Sequence, residues 1–132
     1  MSVVITSPED VHYNCIAWAA EDTLRFWWPR GGYWPAGVKR DETVDAFIEA
    51  YGSLGYKLCD NDVYEQGFQK IALFVNAMGK PTHAARQLNN GKWTSKLGQS
   101  YDVEHDLHAL VLDIPQLATL YGAVTVLFKK NV

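Results

Sequence analysis

The fold is decided by residues 82–98, which read Thr-His-Ala-Ala-Arg-Gln-Leu-Asn-Asn-Gly-Lys-Trp-Thr-Ser-Lys-Leu-Gly. Two runs typical of strands flank Asn89-Asn90-Gly91, and such turn residues between strands are a strong signal of a β-hairpin. Because side chains alternate along a strand, the length of the turn decides which residues share a face with His83.

Two turn lengths are compatible with this stretch. A three-residue turn, with Gly91 in the left-handed conformation, places Ser95 on the same face as His83. A two-residue turn would place Thr94 and Lys96 there instead. We predict the three-residue turn, because it groups three side chains on the histidine's face. They are Trp93, Ser95 and Leu97.

A cysteine stands at the predicted start of a helix upstream of this hairpin. Asn14 is a typical helix N-cap, which places Cys15 in the first turn of a helix that runs to about Thr23. The positive end of a helix and its free amides lower the pKa of a thiol. A cysteine so placed, with a histidine on a strand, indicates nucleophilic catalysis. The competing interpretation is a small buried apolar residue.

Composition limits the classes of protein to consider. A chain of 132 residues predicts one domain, residues 1–132, and 48% hydrophobic residues suffice for a core. A net charge of −3 without a basic cluster argues against a nucleic-acid partner. No apolar run reaches the ~20 residues of a membrane span. The first residues lack a secretory signal, so we expect a cytoplasmic protein, or one exported without a classical signal peptide. We also expect no cofactor and no disulfide framework from the two cysteines.

Residues 24–40 form the most unusual segment, with prolines, glycines and several large aromatics. Prolines and glycines exclude a long helix or a central strand here. We predict a loop that its aromatics attach to the core. The alternative is an aromatic wall of a substrate groove. The tryptophans concerned are Trp27, Trp28 and Trp34.

The remaining pattern predicts helices first and an antiparallel sheet afterwards. Residues 41–51 show the apolar spacing of an amphipathic helix. Residues 102–120 are predicted to be partly helical, with Pro115 breaking or restarting the helix. The predicted strands are residues 55–59, 69–76, 82–88, 92–98 and 122–129. This order indicates the α+β class.

The layout resembles the papain-like superfamily, especially small bacterial NlpC-type cell-wall peptidases and CHAP amidases. In those families a cysteine begins a helix and a histidine lies on a later strand. The hairpin partner of that strand carries the third polar residue, and Ser95 stands at that position here. Asn-Cys-Ile-Ala occupies the place of the usual Asp-Cys-Ser-Gly. The resemblance implies a papain-like domain whose N-terminal helix packs the cysteine on a mainly antiparallel sheet.

The resemblance also implies roles for particular residues. Cys15 would attack a carbonyl as thiolate, His83 would accept and return the proton, and Ser95 would orient the imidazole. The reaction would be hydrolysis or transfer of an amide, peptide or related acyl bond. Its substrate would be a peptide, a peptidoglycan fragment or a protein. Residues expected to hold the oxyanion or the substrate are Tyr13, His12, Trp18 and Trp93.

Two other functions remain open. The same fold could be a catalytically silent module that binds a partner, as immunity proteins do. A metal hydrolase is the third hypothesis, because His105 and His108, at i and i+3, would share one face of a helix near Asp102.

Overall fold

A computed structural model describes residues 3–7, 12–97 and 101–132. The described part contains one sheet of seven strands, joined by antiparallel pairs in the order β1-β6-β5-β4-β3-β7-β2. The strands are β1 (Val3–Ser7), β2 (Lys57–Cys59), β3 (Phe68–Val75), β4 (Pro81–Gln87), β5 (Trp93–Lys96), β6 (Asp102–His105) and β7 (Ala123–Asn131). The helices are α1 (Cys15–Ala19), α2 (Val44–Gly52), α3 (Ala109–Leu112) and α4 (Pro115–Tyr121). The fold is therefore α+β, as predicted.

The β4–β5 hairpin has the predicted three-residue turn. Gln87 pairs with Trp93, and the amide of Leu88 donates to the carbonyl of Lys92 at 2.7 Å. Gly91 has a φ of 85°, a left-handed conformation that glycine adopts without a steric penalty. The end of the predicted second strand, at residue 98, lies outside the described residues.

The alternation of side chains gives the sheet two different faces. The α1 face packs against α1 and α2, and the histidine face packs against α3 and α4. The β4 and β5 residues on the α1 face are Ala84, Arg86, Thr94 and Lys96. Those on the histidine face are His83, Ala85, Trp93 and Ser95.

Helix α1 begins where it is predicted and ends early. The Asn14 side-chain oxygen accepts from the amides of Ala17 and Trp27, both at 3.1 Å. Its side-chain amide donates to the carbonyl of Trp27 at 2.7 Å. The helix ends at Ala19 rather than near Thr23, since Glu21 has a φ of 63° that a right-handed helix excludes.

The aromatic loop is packed onto the core, as the first interpretation predicts. Trp27 and Trp34 are 2% and 3% exposed. Trp27 stacks on Tyr51 with ring centroids 6.4 Å apart, and Trp34 meets Phe47 edge-on at 5.0 Å. The loop therefore thickens the core on the α1 face.

Two predictions of local structure need correction. Asp102–His105 form a central strand rather than helix, because β5 and β1 pair with it on both sides. The N-terminal residues Val3–Ser7 form strand β1, which the predicted set of strands does not include. Within residues 3–7, 12–97 and 101–132, no helix has the length and apolarity needed to cross a membrane.

Candidate functional site

Cys15 lies in the first turn of α1 against the α1 face of the sheet, and 6% of it is exposed. Its Sγ is 4.0 Å from the carbonyl oxygen of Thr82. Burial raises the pKa of this thiol to about 11. Hydrogen bonds from the amides of Ala84, Ile16 and Cys15 itself, and the nearby Lys96, act in the opposite direction without overcoming burial. The thiol is therefore protonated at neutral pH.

His83 lies on the other face of the sheet, completely buried. Its ring stacks on Tyr121, with centroids 4.1 Å apart and planes within 10°, and meets Phe74 edge-on at 5.1 Å. Burial, and to a lesser degree His105, holds the pKa of His83 well below its usual range. Within the described residues, neither of its ring nitrogens has a hydrogen-bond partner.

The structure does not bring the predicted dyad together. On β4 the side chain that packs with Cys15 is Ala84, and the alternation of the strand turns the preceding His83 away. Ser95 shares the face of His83 as predicted, but it is hydrogen-bonded to another histidine. The prediction that Ser95 orients His83 is therefore wrong in this structure.

That other histidine is His105 of β6. Its Nε2 is 2.7 Å from the Ser95 Oγ, and its Nδ1 is 2.8 Å from the carbonyl oxygen of Asp106. A carbonyl oxygen only accepts, so Nδ1 carries the proton and Nε2 accepts from the serine hydroxyl. The sequence pattern does not predict this pair, because it favours a partly helical segment over residues 102–120. The alternation of Val103 and His105 with acidic residues is the signal for a strand that could have found it.

The residues predicted to hold an oxyanion or a substrate do not form one site. Tyr13 is buried on the α1 face, where its hydroxyl donates to Asp102 at 2.9 Å. Trp18 is half-buried and donates to the hydroxyl of Thr94 at 3.0 Å. His12 is exposed, and Trp93 is buried on the histidine face. Trp93 therefore cannot contact a substrate held at Cys15.

A buried ion pair stands near Cys15. The Lys96 Nζ is 3.8 Å from an Asp102 carboxylate oxygen, and these side chains are 0% and 1% exposed. The same ammonium lies 4.5 Å from the ring centroid of Tyr13. Lys96 therefore contacts both Asp102 and Tyr13, and its charge also acts on the nearby thiol of Cys15.

The hypothesis of a metal site is not supported by the positions of its residues. His105 lies on the histidine face and Asp102 on the α1 face, because they are three residues apart on one strand. His108 stands at the start of α3, with its Nε2 3.6 Å from a carboxylate oxygen of Asp62. The described residues hold no group of three or more histidine, cysteine or acidic side chains suited to a metal ion.

The N-terminal edge of the sheet presents apolar surface. β1 pairs only with β6 in the described part of the chain, and 57% of Val4 and 62% of Ile5 are exposed. Beside it, a groove of about 470 Å³ lies between the sheet and the connection that joins α3 to α4. The groove is lined by Val3, Val4, Ile5, Leu97, Tyr101, Val103 and Ile114.

Comparison with known proteins identifies the family and nothing beyond it. Residues 4–129 match the model of a domain of unknown function, DUF7689, so the chain belongs to that family. No curated protein and no solved structure matches the chain.

Proposed function

We propose that the protein is a binding module, silent at Cys15, that takes an extended apolar segment of a partner protein along β1. The observation that carries this proposal is the exposed edge of that strand, where Val4 and Ile5 are each more than half exposed. Extended peptides add to such edges through main-chain hydrogen bonds, and their side chains supply specificity.

The edge carries few of the features by which sheets normally avoid pairing with other chains, although its register with β6 shifts between Ile5 and Ser7. Edge strands are commonly protected by charged residues, prolines or bulges that turn them away. Val3–Ser7 contains neither a charged residue nor a proline. Val4 and Ile5 point to opposite faces of the sheet, so the alternating side chains of an added strand would contact one or the other.

The surroundings of Cys15 support the proposal that this residue is not a catalytic nucleophile. The thiol lies against the main chain of β4 at Thr82 and Ala84, and no imidazole of the described residues is hydrogen-bonded to it. Its pKa of about 11 leaves only a small fraction as thiolate at neutral pH.

Cysteine-dependent hydrolysis of an amide, peptide or other acyl bond, on a papain-like fold, is the second candidate. Its support is the set of three main-chain amides and the lysine that act to lower the pKa of the Cys15 thiol. Such groups would also stabilise the oxyanion that develops on a substrate carbonyl when the thiolate attacks it. This route requires His83 to reach the α1 face.

Selection from a displayed library of random ten-residue peptides tests the binding proposal. Wild-type protein should enrich peptides with alternating apolar residues. The variant Val4→Lys should bind the selected peptides at least about tenfold more weakly, because a charge on an edge strand opposes pairing. This variant should fold, since Val4 stands opposite Glu104 in the sheet. Leu24→Lys, at a leucine 85% exposed on the aromatic loop, is the matched control and should bind normally.

Failure to enrich any peptide, or equal binding by Val4→Lys and wild type, would refute docking at β1. Hydrolysis of a peptide or peptidoglycan fragment that disappears in Cys15→Ala would establish the cysteine route instead.

A further inference from the structure

Three uncharged polar side chains of the described residues lie on the histidine face with no exposure to solvent: His83, Ser95 and His105. Two of them satisfy each other, whereas His83 has no hydrogen-bond partner in the described part of the chain. A buried polar group without a partner is costly to keep, so it calls for a functional explanation.

The Ser95–His105 pair has the arrangement of an activated nucleophile. The proton on Nδ1 of His105 is fixed by the carbonyl of Asp106, so Nε2 is free to take the proton of the serine hydroxyl. Burial lowers the pKa of His105, which keeps the ring neutral and able to act as a base. A nucleophile bonded to a base, with the base oriented by a third group, is the pattern of covalent acyl transfer.

His83 supplies what this pair lacks. Its ring is neutral, because burial holds its pKa well below the usual range, and therefore carries one N–H. That N–H has no acceptor among the residues that the structure describes. A fixed donor in a site without water is well suited to the negative oxygen that develops during acyl transfer.

The apolar groove reaches the residues that flank Ser95. Val103 pairs directly with Ser95 across β5 and β6, and Leu97 follows two positions later on β5's side of the sheet; both line the groove. A hydrocarbon chain lying there would have its carbonyl end near the serine. Strand addition would use the main-chain groups at the outer edge of β1, whereas the acyl chain would contact the β1 side chains that line the groove.

Two short helices shield the three side chains from solvent. They are α3 and α4, which contribute chiefly Leu110, Leu117 and Tyr121 to the core on this face. Gly122, at a φ of 75°, connects α4 to β7. Leu112 and Leu120 on the outer side of the two helices are 74% and 63% exposed, so a single layer of helix separates these side chains from solvent.

We propose that His83, Ser95 and His105 form an esterase site for esters of apolar, medium-length acyl chains, which enter when α3 and α4 move off the sheet. The Ser95 Oγ forms a bond to the ester carbonyl carbon and passes its proton to Nε2 of His105. The bond to the alkoxide then breaks, and the alkoxide leaves with that proton as an alcohol. Water repeats the sequence on the acyl-serine and releases the acid. His83 donates its N–H to the oxyanion.

Labelling with a fluorophosphonate probe, followed by mass spectrometry, tests the nucleophile without any variant. The adduct should be on Ser95. Hydrolysis of p-nitrophenyl esters should be measured in parallel. From acetate to octanoate, kcat/KM should rise about two- to fourfold for each methylene that the groove buries. Ser95→Ala should lose at least about 100-fold in kcat, whereas Cys15→Ser should keep wild-type activity.

The role of His83 is separated from simple packing by His83→Phe. Phenylalanine can keep the ring contacts with Tyr121 and Phe74 and removes the unpartnered nitrogens. If His83 donates to the oxyanion, the variant should lose about 100-fold in kcat with little change in KM, while its melting temperature rises.

A probe adduct on Cys15, no adduct at all, or unchanged hydrolysis in Ser95→Ala would overturn the esterase site. Full activity in His83→Phe would remove His83 from it. None of these outcomes bears on peptide binding at β1, so the two proposals stand or fall separately.

Discussion

The two faces of the sheet treat polar residues in opposite ways. On the α1 face, Lys96 and Asp102 are buried as an ion pair beneath a thick layer of helix and aromatic loop. On the histidine face, Ser95, His83 and His105 are buried uncharged on the side that two short helices cover, and the buried Lys70 of β3 pairs with the partly exposed Glu65. Thr94 and Ser95 are neighbours in sequence, yet they belong to these two environments. A shift of one residue in register would therefore move each of these side chains into the environment of the opposite face.

Removing the charge of Lys96 should have the largest effect. Lys96→Met leaves Asp102 buried without this partner, which should lower the free energy of unfolding by about 3–5 kcal/mol. Urea denaturation of the variant and of wild type measures the difference. Replacing both members, as Lys96→Met with Asp102→Leu, should recover much of the loss. A single variant as stable as wild type would show that the α1 face does not depend on the pair.

The covering of the histidine face is tested by Gly122→Ala. A Cβ at this position would stand 2.1 Å from the carbonyl oxygen of Val75, so β3 or α4 must shift. The cost should be about 3 kcal/mol. Gly37→Ala is the matched control, because Gly37 has a similar φ of 81° with open space around it, and should cost about 1 kcal/mol. Equal losses by thermal denaturation would mean that the close contact is unimportant.

Acid should destabilise the protein through the histidine face. Burial lowers the pKa of both His83 and His105, whereas in the unfolded chain they titrate near 6.5. Below pH 6.5 the unfolded chain therefore binds protons that the folded chain excludes, so stability is present above this pH and is lost as the pH falls. The loss should approach about 1.4 kcal/mol per pH unit for each histidine.

Denaturation curves between pH 7.5 and 5 check this expectation, and His83→Phe should remove the larger part of the slope, because the pKa of His83 is the more strongly lowered. A slope that the variant leaves unchanged would mean that His83 gains a proton without unfolding.

The smallest expected effect is a difference in reactivity between the two thiols. Cys15 is buried with a pKa of about 11, and Cys59 is partly exposed. Iodoacetamide at pH 8 should label Cys59 at least about tenfold faster than Cys15, as peptide mass mapping can measure. Faster labelling of Cys15 would support the hypothesis that Cys15 is the nucleophile of a cysteine hydrolase.

The hairpin shows how much local sequence can predict. Turn chemistry at Asn89-Asn90-Gly91 fixes the register, and alternation then correctly places Ser95 on the face of His83. The hairpin sequence does not predict which helices pack on each face of the sheet. Ala84 and Ala85 are equally small, so a helix can approach either face closely. Arg86 and Lys96 suggest a solvated face, yet that face receives α1, since long side chains can pair or stack when buried.

The double use of Asn14 has a consequence for how the protein folds. A helix of five residues is too short to be stable alone, and the same side chain that caps α1 also holds both main-chain groups of Trp27. The helix and the aromatic loop are therefore expected to form and open as one cooperative unit. In native-state hydrogen exchange, the amides of Ala17 and Trp27 should share a single opening free energy, although nine residues of chain lie between them.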